Sequence, residues 1–393
     1  MPLLSRREFA ESALAVGAQS AFAFNASGID QVLRSGAERH GIPAVAAMVA
    51  TPDSATYTGA CGRCTADSIF RIASMTKAIT SVAALQLVEQ KKLQLETPVS
   101  QHLPEFRSPQ ILEGFAADSG KPILRPATRP VTLRRLLTHT SGLAYDNWNA
   151  DLLRYAAQTP AGDVPPLMTE PGTRWEYGTS LDWTGRLVER VSGLSLEEYF
   201  QRHIFQPLGM TDTSFILPSN KFDRLVDSWQ RQSDGNLELV PRKQPQPPKA
   251  FNGGGGLYST AADYVRFMQA ILRNGQGQTG ARILSASAVA KMTKNQVGAL
   301  SAGKMKTARP ERSSDVDFHP GFTDGFGFGF LINSTAYAGG RSAGSLAWAG
   351  LQNTFYWIDP HRGLCAVILM QFLPFCDSQA MAMLREFEHA VYA

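Results

Sequence analysis

The stretch Met75–Leu87 is almost wholly apolar or small, contains neither Gly nor Pro, and carries a lysine, Lys77, close to its start. A helix that is apolar all round belongs in the middle of a sizeable fold, with other elements packed on every side. The 393-residue chain has the material for such a fold, since 44% of its residues are hydrophobic and 18% charged, which also excludes wholesale disorder. Net charge is +4 with no long basic run, too weak a field to imply nucleic acid as a partner. Beyond the N-terminus no uninterrupted apolar run approaches the ~20 residues of a membrane helix, so stable membrane insertion is not expected.

Around this central helix the hydrophobic period changes twice. Ile29–Arg39 has the pattern of an amphipathic helix, and Ala44–Ala50 with Ala55–Ala60 that of a strand hairpin. The middle third predicts helices over Leu133–Thr138, Leu181–Ser192, Leu196–Phe205 and Ala261–Arg273, with residues 232–250 as a long Pro-containing surface loop. Strand signals return at Phe326–Ile332, Ser345–Ala349, Thr354–Ile358 and Leu364–Gln371, and Ala380–Tyr392 closes as a helix. Strands at both ends with helices between predict an α/β chain of the α+β type: an antiparallel sheet from residues 27–80 and 275–393, flanked by helices, with a mainly helical lobe, 81–274, inserted.

Residues 1–26 place Arg6-Arg7 ahead of a stretch rich in Ala, Gly and Ser, the pattern of a twin-arginine export leader, with an N-terminal surface helix as the alternative. A working leader would make the protein periplasmic; otherwise it is expected in the cytoplasm. Cys61 and Cys64 form a C-x-x-C that fits a redox dithiol, half of a zinc site or a local disulfide, but no second pair completes a metal set.

Ser74-Met75-Thr76-Lys77 opens the apolar helix as S-x-x-K. Positions i and i+3 share a helix face, so the serine hydroxyl and the lysine amine can meet. At the first turn, free backbone N–H groups and the positive end of the helix dipole favour a developing oxyanion. Burial among apolar side chains disfavours the charged amine, which suits Lys77 to act as a base. A capping serine beside a snorkelling lysine is the bland alternative. Two rival motifs fail on context: Gly340–Gly344 fits G-x-S-x-G without a buried strand before it, and Gly298–Lys304 fits a phosphate loop without the following hydroxyl residue.

Further along, His139-Thr140-Ser141-Gly142-Leu143, Trp175-Glu176-Tyr177, Gly253–Tyr258 and Trp348-Ala349-Gly350 follow in order. With S-x-x-K, this series over residues 29–393 resembles the serine β-lactamase and penicillin-binding superfamily, in particular its class C branch and the family VIII carboxylesterases. The resemblance implies Ser74 as nucleophile, Lys77 as general base and Tyr177 as the tyrosine that relays a proton to the leaving group. It implies an oxyanion hole from the backbone N–H groups of Ser74 and Leu351, the latter next to Gly350 of the strand motif. His139 is expected to serve a structural hydrogen bond.

Thr179 stands where the β-lactamases carry Asn, and Trp348 where they carry Lys, so the cation that would pair with a β-lactam carboxylate is missing. An uncharged pocket walled by Trp348, with Tyr145 as a further lining residue, suits neutral esters. The expectation is therefore a carboxylesterase for small or short-chain esters, with weak β-lactam hydrolysis, needing no metal or cofactor and no partner beyond its small-molecule ester. β-Lactamase, D-aminopeptidase or acyltransferase activity on the same scaffold is the alternative, and a penicillin-recognising sensor or scaffold the non-enzymatic one.

Overall fold

The computed structural model describes residues 25–159 and 164–393, so the leader-like segment lies outside the described residues except for its last two. The first helix, α1 (Ala26–Arg39), is capped by the Asn25 side chain, which accepts from the Gly28 N–H. It leads into β1 (Ala44–Ala50) and β2 (Ala55–Gly62). The apolar stretch becomes α2 (Thr76–Glu89), buried without a break from Thr76 to Leu87. Further along come α3 (Ser180–Ser192) and α4 (Ala261–Leu272), the latter capped by Thr260, and then β3 (Gly325–Phe326), β4 (Leu331–Ile332), β5 (Leu346–Gly350), β6 (Thr354–Asp359), β7 (Leu364–Leu369) and α5 (Ser378–Tyr392).

Seven of these strands form one sheet in the order β3-β4-β5-β6-β7-β1-β2, every neighbouring pair antiparallel. The two ends of the chain meet where β1 pairs with β7, Ala46 opposite Leu369. β6 and β7 are buried along their whole length, because helices cover both faces of the sheet. Successive residues of β6 show the two sides: Tyr356 packs on Tyr264 of α4, and Trp357 on Phe387 of α5. Thus α4, although it lies within residues 81–274 expected to form the inserted helical lobe, packs against β1 and β7 of the sheet.

Three local expectations give way to tertiary packing. The stretch Phe326–Ile332 is not one strand but a doubled-back pair, β3 and β4, around Gly327-Phe328-Gly329. A Cβ on Gly329, which has φ +88°, would lie 2.5 Å from Ser81 Oγ, so the turn needs glycine to press onto α2. Within residues 232–250, Leu237–Val240 pairs with Ser228–Arg231 as a short hairpin. The helix expected to Phe205 is α-helical only over Leu196–Phe200 and then widens into a π-turn, Gln201–Phe205. All four cysteines are unpaired; the Cys64 thiol donates to the Cys61 carbonyl at 3.4 Å. Among the described residues no helix is long and apolar enough to cross a membrane.

Candidate active site

Ser74 lies in a 3₁₀ turn, Ala73–Met75, that runs straight into α2. Ala73 takes φ +42°, a left-handed conformation costly for a residue with a Cβ, and this bend sets Ser74 at the head of the helix. Ser74 is partly exposed while Lys77, one turn on, is 1% exposed. The Lys77 amine sits 3.0 Å from Ser74 Oγ, 3.2 Å from Tyr145 Oη and 2.6 Å from the Gly254 carbonyl. Those three partners are as many as an amine can take. The Gly254 oxygen can only accept, so a neutral amine that donates there and to Tyr145 keeps its lone pair for the Ser74 hydroxyl proton.

The glycine run is drawn to α2 by its neighbours. Phe70 and Arg71 pair with Ser259 and Tyr258, and Thr80 Oγ1 donates to the Gly253 carbonyl at 2.6 Å. Gly253 also abuts Gly185 of α3, where a Cβ on either residue would crowd the other's backbone at 2.9–3.0 Å. The sequence did not point to Asp182, in the first turn of α3, where an acid is ordinarily read as a dipole partner. Its carboxylate accepts from Tyr145 Oη at 2.8 Å and from the Gly254 N–H at 3.2 Å, holding both of the fixed partners of Lys77. Burial pushes the Asp182 carboxyl above its ordinary value, against the opposing pull of Lys77, the Tyr145 hydroxyl and the Gly254 N–H. Burial and then Asp182 hold the Tyr145 phenol well above its ordinary value, so its proton stays committed to the carboxylate.

Tyr177 is arranged differently. Its ring centre is 4.9 Å from the Lys77 amine, but its hydroxyl makes no hydrogen bond to Ser74 or Lys77; it accepts from the Trp348 indole N–H at 3.2 Å. The tyrosine hydroxyl bonded to Lys77 is that of Tyr145, which the sequence suggested only as a cleft-lining group. Because an indole nitrogen can only donate, the Tyr177 proton remains uncommitted among the described residues. Tyr177 and Trp348 are 5% exposed and pack with Trp175, Trp148 and Phe326, an apolar wall with no charged member. His139, at φ +54°, packs against Tyr177 with the rings tilted at 53° and accepts from the Gly178 N–H at 3.4 Å through Nδ1. Burial first, then the charge of Lys77, push its imidazole well below its ordinary value, which keeps it neutral and structural.

Thr179 stands at the N-cap position of α3, but its buried hydroxyl makes no cap hydrogen bond and does not reach Lys77; the carbonyl of Gly254 does so instead. Gly350 ends β5 against the backbone just before Ser74, where a Cβ would lie 2.3 Å from the Ile72 carbonyl. That approach delivers Leu351 next to the Ser74 turn, and the N–H groups of Ser74 and Leu351 take part in none of the turn and loop hydrogen bonds.

A family model described as Beta-lactamase matches residues 29–387. The chain belongs to the beta-lactamase family. The lovastatin esterase of Penicillium rubens is 34% identical over 354 residues, 83% of this chain and 85% of that protein. The monacolin J acid methylbutanoyltransferase of Aspergillus terreus is 33% identical over 348 residues, 83% of this chain and 82% of its own. Among solved structures, the LovD6 variant of the simvastatin synthase LovD from Aspergillus terreus superposes with a TM-score of 0.80 at 29% identity, covering 93% of this chain and 96% of the other. This beta-lactamase-family member is thus an enzyme of the serine-hydrolase type, a hydrolase or acyltransferase built on the serine β-lactamase fold.

Proposed function

We propose that the protein is a carboxylesterase of the family VIII type, which cleaves small or short-chain esters through an acyl-enzyme on Ser74. The observation that carries this is the Lys77 amine, 3.0 Å from the Ser74 hydroxyl with its other two partners fixed by Asp182. Lys77 takes the hydroxyl proton as Ser74 Oγ bonds to the ester carbonyl, and the Ser74 and Leu351 N–H groups receive the oxyanion. Collapse breaks the bond to the alcohol, which leaves with the uncommitted proton of Tyr177. The ammonium of Lys77 stabilises the resulting phenolate and returns a proton to it. Water then attacks the acyl-enzyme and releases the acid.

Transfer to an alcohol in place of water is the second reading, supported by relatives that include both an esterase and an acyltransferase at near-equal identity. Turnover of 4-nitrophenyl acetate, butyrate and octanoate, with and without an added alcohol, separates the two. Free acid as the main product, fastest for the short chains, supports the esterase; ester product dominating at millimolar alcohol supports the transferase. Turnover of nitrocefin alone, with no ester cleaved, would refute both.

A further inference from the structure

β5 has two faces, and they serve different spaces. Trp348 turns towards Tyr177 on the side of Ser74, while Ala347 stands opposite Trp357 of β6 and shares the other face, where Trp357 packs on Phe387 of α5. On that second face a cavity of about 570 Å³ opens between the sheet, α5 and the segments 317–322 and 336–341. Its walls include Phe318, Phe322, Leu331, Phe355, Met381 and Leu384, with Ala347 and Trp348 as the partition towards the active site. A space of that size with apolar and aromatic walls is suited to a small molecule and is far larger than the voids left by ordinary side-chain packing.

The frame of the cavity is held by its own bonds. Tyr337 Oη donates to the Phe318 carbonyl at 3.1 Å, and His319 lies between the rings of Phe322 and Tyr337, each 4.2 Å away, with Nδ1 3.1 Å from Asp324. The charged groups of the lining are committed in turn. Arg341 holds both oxygens of Glu388 at 2.8 and 2.5 Å, Asp317 pairs with Lys304 at 3.2 Å, and His389 Nδ1 is 3.2 Å from the Gly339 carbonyl. Arg385 differs: it is exposed on α5, directly after Leu384, and its side chain makes no ion pair or hydrogen bond among the described residues. An apolar chamber whose one uncommitted charge is a cation at the water-facing rim complements an amphiphile with an aliphatic body and a single negative head.

We propose that this cavity is a second ligand site, separate from the Ser74 cleft, which takes a medium-chain aliphatic monocarboxylate with its chain against Leu384 and Phe355 and its head at Arg385. The proposal does not rest on the esterase reading. Calorimetric titration of hexanoate, octanoate and decanoate into the full chain tests it. Affinity should rise about fourfold for each added methylene, as expected where each one leaves water for an apolar wall. Leu384→Trp, which fills the chamber, should weaken decanoate by tenfold or more, with a melting curve to show that the variant is folded. Arg385→Gln, at an exposed position, should weaken it by about two- to fivefold, the scale of an ion pair in contact with water. A decanoate analogue carrying a terminal diazirine locates the site: label on residues 317–341 or on α5 supports the proposal, and label confined to the peptides of Ser74 and Tyr177 overturns it. No saturable decanoate binding, or binding unmoved by Arg385→Gln and by folded Leu384→Trp, also overturns it.

Discussion

The two tyrosines that flank Lys77 face opposite halves of the site. On one side Tyr145, Asp182 and Gly254 form a closed polar network in which every proton has a stated acceptor. On the other, Tyr177 is set among Trp348, Trp175 and Trp148, and its hydroxyl accepts one bond while keeping its proton. The saturated half can hold an amine in one place and aim its lone pair. The unsaturated half can give a proton away, because nothing else claims it. Hydrogen-bond direction, rather than proximity to Lys77, distinguishes the tyrosine whose proton a carboxylate holds from the one whose proton is not so held.

The largest effect should follow from emptying the centre of the polar half. Lys77→Met removes the base and should lower kcat/KM for 4-nitrophenyl butyrate by about 10³-fold or more, within the range of acid–base catalysis. Stopped-flow or steady-state rates check this, and wild-type activity would break the polar half of the comparison. Tyr177→Phe should cost about 10²-fold or more on alkyl esters, whose alkoxide needs a proton, but less than about tenfold on 4-nitrophenyl esters, whose phenolate leaves unaided. Equal losses on both ester types would deny Tyr177 the role of proton donor.

Asp182→Asn should have the smallest effect on rate, about tenfold, because Tyr145 and Gly254 lose only their tether. Its effect on stability has the opposite sign. The folded protein raises the pKa of Asp182, so it binds that proton more tightly than the unfolded chain, and the charged carboxylate costs stability once pH rises through the raised value. Asparagine removes this cost. The variant should therefore melt at or above the wild-type temperature near pH 7, with the gain disappearing as pH falls below the ordinary carboxylate range. Calorimetric melts at several pH values check it, and a lower melting temperature at neutral pH would make Asp182 a structural rather than a positioning residue.

The sequence revealed these two halves unequally. Ser74 and Lys77 could be singled out because S-x-x-K opens an apolar helix and is followed in order by the dispersed motifs of a known family, and Trp348 because it stands where that family's strand motif carries a charge. Asp182 was not, since an acid in a helix's first turn is common and its contact with Tyr145 spans 37 positions that only the fold brings together. Gly253–Gly256 was visible as a run, but only the structure shows that one of its carbonyls, not a side-chain amide, holds the lysine. The strands at both ends of the chain were legible from their apolar period. The split of Phe326–Ile332 was not, because it depends on a helix more than two hundred residues earlier pressing against Gly329.

In the proposed reaction the hydroxyl of residue 74 carries the acyl group. Intact-protein mass spectrometry after rapid mixing with 4-nitrophenyl butyrate, followed by peptide mapping, tests it directly. A single butyryl increment on the peptide containing Ser74, decaying as acid is released and absent in Ser74→Ala, is the predicted result. An increment on another residue, or undiminished turnover by Ser74→Ala, would contradict it.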